Sequence, residues 1–274
     1  MATWQNLIQR LHKGPHRLVI AVTGGGSLAV SDLLTRPGAS STVLEAIVPY
    51  SSRALDDWLG GAPDRYCARE TALAMSATAW WRAGQLSSAE DAVFPLLGVS
   101  CTAALASDRP RRGPHRCWVA VESDQQSTLH TLSLVKGGRE RSGEEALVRS
   151  LILQAIGAAA GLPQGPSLDL LEHETLLSDS QIPPAEIADV RRGKRSCAWS
   201  LPDGRMADDP GQPVAGVLSG SFHPLHDGHQ KLKQVAEQIL GGPVAYELPV
   251  VNADKPPLDF FSIAQRREQF RNSL

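Results

Sequence analysis

At 274 residues, with 42% apolar and 20% charged positions, the chain has the composition of a globular protein of one or two domains. A net charge of −2 supplies no basic field, which excludes binding to nucleic acid or to an anionic membrane driven by charge alone. Cys67, Cys101, Cys117 and Cys197 form no C-x-x-C pair and suit a reducing compartment, and no apolar run reaches the roughly 20 residues that span a bilayer.

The opening stretch, MATWQNLIQRLHKGPHR, reads as a short amphipathic helix without the apolar core and cleavage site of a signal peptide, so a cytoplasmic location is expected. RLVIAVTGG (17–25) is a continuous apolar run closed by glycines, the pattern of a buried strand. SLAVSDLLTR has helical spacing and stops at Pro37-Gly38; STVLEAIVPYS is the next strand. A helix is predicted over 65–83, with Trp80 and Trp81 near its end, then a third apolar run, AVFPLLGVS. HRCWVAVES and STLHTLSLV are two strands separated by DQQ, a hairpin pattern. SGEEALVRSLILQAIGAAAGL reads as a long helix capped by Ser142. Strands alternating with helices make residues 1–162 an α/β layered domain. Residues 163–213 are rich in proline, charge and turn formers and read as a linker or connecting arms. From 214 to 274 the alternation restarts: VAGVLSGSF as a strand, HQKLKQVAEQIL as a helix stopped by Gly241-Gly242, VAYELPVVN as a strand, and SIAQRREQF as a further helix.

The restart carries the densest chemistry. SGSFHPLHDGH places His223, His226 and His229 within seven residues at the passage from strand to helix. A helix N-terminus offers unpaired N–H groups and a partial positive charge, and imidazoles beside it can donate to phosphate oxygens. H-x-x-H spacing could also chelate zinc, but no cysteine or acidic third ligand beyond Asp227 accompanies it, so no metal is expected on the protein itself. The stretch resembles the nucleotidyltransferase superfamily signature G-[ST]-F-x-P-x-H-x-G-H through Gly220, Ser221, Phe222, Pro224, His226, Gly228 and His229. The resemblance implies the first half of a doubly wound, Rossmann-like fold that binds ATP or CTP. His226 and His229 would hold the phosphates as catalytic residues. Gly220, Ser221, Phe222, His223 and Gly228 would line the nucleotide. Mg²⁺ would ride on the departing pyrophosphate, and AMP or CMP would pass to a phosphate-bearing acceptor such as nicotinamide or nicotinate mononucleotide. Lys255 and Arg266 fall where the mononucleotide adenylyltransferases carry a substrate-side lysine and an arginine-bearing helix. About 60 residues follow Pro213, fewer than such a domain needs, so only part of that fold is expected.

The N-terminal stretch VIAVTGGGSLAVSDLLTRPGASSTVLEAIVPYS resembles the CinA C-terminal family, the nicotinamide-nucleotide amidases, with their A-E-S-x-T-G-G turn, amphipathic helix, P-G-A-S and Y-S-N-E-x-K. Over about residues 5–160 it implies a three-layer α/β domain that self-associates into a homo-oligomer and takes small-molecule nucleotides. Aligned from Pro37-Gly38-Ala39-Ser40, the family's nucleophilic serine falls on Thr23, its preceding glutamate on Val22 and its activating lysine on Leu55, while Tyr50 and Ser51 match. The family's glycine-rich loop reads Cys101-Thr102-Ala103-Ala104. A pocket built from Gly24, Gly25, Gly26, Ser27, Tyr50, Ser51 and Thr102 is expected, with Ser27 as a rival nucleophile and the glycine turn as an anion site. Three functions stay open: nucleotidyl transfer, amide hydrolysis of nicotinamide mononucleotide, and nucleotide binding without catalysis.

Overall fold

The computed structural model describes residues 3–88, 93–108, 112–201, 203–252 and 256–271. The chain divides into two compact units, Met1–Ser180 with Asp254–Asp259, and Gln181–Ala253 with Phe260–Leu274.

The first unit is built on β1 (Arg17–Thr23), whose interior residues are all buried. Side chains of a strand alternate between faces. Leu18, Ile20 and Val22 enter the larger core, with α1 (Trp4–Lys13), α2 (Ser27–Leu34) and α5 (Arg141–Ala159). Val19 and Ala21 point the other way, into the clusters formed with α3 (Ser52–Leu59) and α4 (Arg69–Leu86). A strand covered on both faces needs an unbroken apolar run, which is why RLVIAVT does not alternate in polarity. Its neighbours are β2 (Val43–Ile47) and β3 (Leu96–Ala104), both parallel to it. β4 (His115–Glu122) and β5 (Ser127–Leu134) follow antiparallel as a hairpin closed between Ser123 and Gln126, and β6 (Thr175–Gln181) completes the order β2-β1-β3-β4-β5-β6 among the described residues. Helices on both faces make this an α/β/α sandwich, as expected for the N-terminal domain.

α4 lies directly on β3 because Gly98 has no side chain: a Cβ there would sit 2.1 Å from both Ser76 O and Trp80 N. Ser100 Oγ then donates to Ala72 O at 2.6 Å across the same contact. Two expectations shift in detail. Ser142 is the second residue of α5, not its cap; Glu140 takes the N-cap position. Residues 163–213, expected to connect, contain the edge strand β6 and α6 (Ala185–Arg191).

In the second unit, β7 (Trp199–Ser200) and β8 (Met206–Ala207) form a minimal antiparallel pair. β9 (Gly216–Ser219), α7 (Asp227–Leu240) and β10 (Val244–Glu247) form a β-α-β unit with parallel strands, followed by α8 (Phe260–Arg271). The doubly wound sheet that the histidine signature implied is represented, among the described residues, by this one β-α-β alone. The consequence is visible on α7, which buries none of its residues and leaves Leu232, Val235 and Ile239 at 52%, 49% and 78% exposure. Two short strands offer too little apolar surface to cover a helix.

Candidate functional site

Two regions collect the expected residues. In the first unit, β1, β2 and β3 end side by side, and the chain order reverses across β1 and β3, the crevice where open α/β sheets take ligands. Thr23 and Thr102 are partners in register there. The Thr23 hydroxyl donates to Pro49 O at 3.0 Å, and Thr102 Oγ1 donates to Tyr66 O at 2.8 Å. Ser51 caps α3, its hydroxyl accepting from Ala54 N at 3.2 Å, while Tyr50 beside it is 72% exposed. Leu55, at the place of the family's lysine, is packed with Ala21 and Met75 in the core.

The glycine turn follows. Gly24 and Gly26 have φ of 72° and 92°, the left-handed region that glycine takes without penalty, and the turn delivers Ser27 to the start of α2. The anion that such a helix start attracts comes from the protein. Glu145 of α5 accepts from Ser27 Oγ at 3.1 Å and Leu28 N at 3.2 Å through Oε1, and its Oε2 is buried without a hydrogen-bond partner, 3.8 Å from Arg141. Arg141 in turn donates to Gly24 O at 3.0 Å and Ala106 O at 3.3 Å. One residue away, Glu144 is fully buried between His115 Nδ1 and Ala106 N, both at 2.6 Å. An open recess of about 620 Å³ lies over this region, lined by Ser27, Leu28, Glu140, Arg141, Ser142 and Glu145.

This arrangement corrects two expectations. The Thr23 hydroxyl donates its proton to a carbonyl, and the position aligned with the activating base is the core residue Leu55. The glycine turn is not an open anion site, because a carboxylate already occupies the N-terminus of α2. Nor does the replaced glycine-rich loop supply a nucleophile. A hydrogen bond from the Cys101 thiol to neighbouring Cys117, which favours the protonated form, together with burial, pushes that thiol well above its ordinary pKa.

In the second unit the motif forms a compact N-terminus for α7. His226 is the N-cap, and its Nδ1 accepts from Gly228 N at 3.1 Å. His229, one turn on, returns the favour: its Nδ1 accepts from His226 N at 3.3 Å. The two rings stack with centroids 3.8 Å apart and planes 29° apart. Gly228 allows this fold-back, since a Cβ there would lie 2.9 Å from His226 Cε1. A backbone N–H only donates, so each Nδ1 is a lone-pair acceptor, and each neutral ring must carry its proton on Nε2. Two Nε2–H donors result, on rings polarised by the helix start behind them.

The loop leading to this cap is held from within. Gly220 N donates to Glu247 O at 3.1 Å. Phe222 is buried at φ 44°, a conformation that costs a bulky residue on the order of 1–3 kcal/mol. Its ring meets His229, Tyr246 and Phe270 edge-on, with centroids 5.1, 5.2 and 5.3 Å away. The bond from His223 to Pro224 is cis, and His223 is exposed.

No protein-family profile matches the chain, and no curated protein does. Among solved structures it is similar to a CinA-superfamily protein from Klebsiella pneumoniae, at 15% identity over 58% of this chain and 96% of that one, with a TM-score of 0.45. It is likewise similar to a competence/damage-inducible protein from Agrobacterium tumefaciens (20% identity, 58% and 95% covered, TM-score 0.46). A third similar structure is a CinA-superfamily protein from Escherichia coli (18%, 58% and 91%, 0.44).

Of the residues singled out in the sequence, His226, His229, Gly220, Ser221, Phe222 and Gly228 share one loop and helix start. Arg266 reaches the same loop by a route not expected: its Nη1 donates to Ser221 O at 3.1 Å. That contact makes it a brace for the loop. Lys255 lies outside the described residues. In the other unit Glu144, Glu145, Arg141 and His115 escaped the sequence reading as site residues. Their signal was the pair of glutamates near the start of α5, legible as charges suited to a helix start but not as ligands of a turn 117 residues away. No helix among the described residues is long and apolar enough to cross a membrane.

Proposed function

We propose that this protein binds the polyphosphate of a nucleoside triphosphate, ATP or CTP, at the N-terminus of α7, and that its CinA-like unit serves as a scaffold without amidase chemistry at Thr23. One observation carries the reading: both Nδ1 atoms of the stacked His226–His229 pair accept from backbone N–H groups, so both Nε2–H groups are donors on one exposed helix start. Phosphate oxygens accept in pairs and carry the charge that a helix N-terminus favours. The signature from Gly220 to His229 supports the same ligand class. Mg²⁺ would enter on the phosphates themselves.

Calorimetric titration of ATP and of CTP into the full chain tests this. The wild type gives a saturable heat, and the His226→Ala/His229→Ala chain loses at least tenfold in affinity, about 1.4 kcal/mol. Equal affinity in the two chains removes the reading. Pyrophosphate release in the presence of nicotinamide or nicotinate mononucleotide would extend binding to transfer of AMP or CMP.

A second reading is favoured by a single contact, the 3.1 Å hydrogen bond from Ser27 Oγ to Glu145, which pairs a hydroxyl with an acceptor beside the open recess. Release of ammonia from nicotinamide mononucleotide, lost in Ser27→Ala, would favour an amidohydrolase at Ser27.

A further inference from the structure

We propose that Gln269 of α8 is the positioning residue of this polyphosphate site, acting on the histidines through the loop that precedes them; the inference rests on the nucleotide-binding reading. The side-chain amide grips the loop at two points. Oε1 accepts from Leu225 N at 2.7 Å, and Nε2 donates to Phe222 O at 3.1 Å. An N–H and a carbonyl leave the amide only one orientation, so the grip is directional. Between the two points lie His223 and Pro224, and at the first of them Phe222 sits at φ 44°, where a bulky side chain is not held by local preference. α8 adds two further holds. Arg266, on the same helix, donates to Ser221 O, and the Phe270 ring closes on Phe222 at 5.3 Å.

The consequence falls on the next residue. Leu225 precedes His226, and the His226 N–H is the group that donates to His229 Nδ1 at 3.3 Å. The direction of that N–H depends on how the loop delivers the chain into the cap. Gln269 thus fixes the path of the loop. The path aims the N–H, and the N–H sets which nitrogen of His229 carries the proton. Gln269 itself need not touch phosphate for this.

The test uses the full chain, with ATP and inorganic triphosphate as probes. Gln269→Met keeps the length of the side chain and removes both hydrogen bonds. Its affinity for triphosphate is expected to fall about tenfold, the loss expected from two hydrogen bonds. Imidazole nitrogen NMR without ligand supplies a readout that general loosening would not move. The wild type shows His226 and His229 as the Nε2–H tautomer, and Gln269→Met shows His229 as a mixture of tautomers. Should that chain not fold, Gln269→Glu retains the acceptor for Leu225 and loses the donor for Phe222, and the same tautomer shift is expected in it. Triphosphate affinity and tautomers equal to wild type in the variant overturn the inference alone. A wild type that binds neither ATP nor triphosphate overturns the nucleotide-binding reading and this inference with it.

Discussion

At the scale of single residues, Glu145 shows how a site with the outline of an anion pocket can be closed by the protein's own chain. Its carboxylate takes the two donors that the glycine turn presents, Ser27 Oγ and Leu28 N, and faces Arg141 across 3.8 Å. Removing it leaves the Leu28 N–H at the start of α2 without its acceptor. Glu145→Ala is therefore expected to cost about 2 kcal/mol of stability, read as a lower melting temperature of the first unit. Glu145→Gln keeps an acceptor oxygen and should cost less than half of that. Equal losses would mean that charge opposite Arg141, and not the hydrogen bonds, holds the turn. The pairing also shows what a linear reading reaches. Two glutamates at the start of a predicted helix are legible as favourable to its dipole. That one of them serves a different helix is a fact of packing, as is the role of Leu55, whose position in the alignment suggested a missing base and whose burial explains what replaced it.

At the scale of elements, the contact of α4 with β3 depends on a residue that does nothing chemically. Gly98 lets the backbone of the helix approach the backbone of the strand, and any Cβ would meet Ser76 O and Trp80 N at 2.1 Å. Neither neighbour is the flexible end of a side chain, so relief requires the helix to move. Gly98→Ala is expected to destabilise the first unit by about 3 kcal/mol in denaturant unfolding. A loss below 1 kcal/mol would show that α4 shifts at little cost. The strands and helices themselves were largely visible in the sequence, because apolar period and turn residues are local properties. At the start of α5, Ser142 has the chemistry of a cap, but Glu140, two residues earlier, holds the position. α7 was legible as amphipathic. Its sequence did not reveal that Lys233 and Glu237, paired at 3.1 Å, serve Tyr246 and Val244 N while Leu232 and Ile239 stay exposed.

At the scale of the molecule, the two units differ in what stabilises them. The first holds the continuous cores on both faces of its sheet. The second relies on a few buried residues, Phe222, Val244, Phe260 and Ile263 among them. Small assemblies bury a smaller fraction of their surface and are correspondingly marginal. Scanning calorimetry of the full chain is expected to show two transitions, with the lower one belonging to the second unit. Saturating ATP should raise only that lower transition, by mass action on the folded state. A single transition, or one in which ATP moves the upper step, would contradict the assignment of the ligand to α7. The sequence by itself determined the alternation of strands and helices, the glycine turn after β1 and the spacing of the histidines. Each of these is written in neighbouring residues and in local backbone preference. Only the tertiary structure decided that Glu145 fills the first turn and that Gln269 and Arg266 grip the histidine loop. Those contacts join residues 44 to 118 positions apart, and chain folding, not sequence spacing, sets which of them meet.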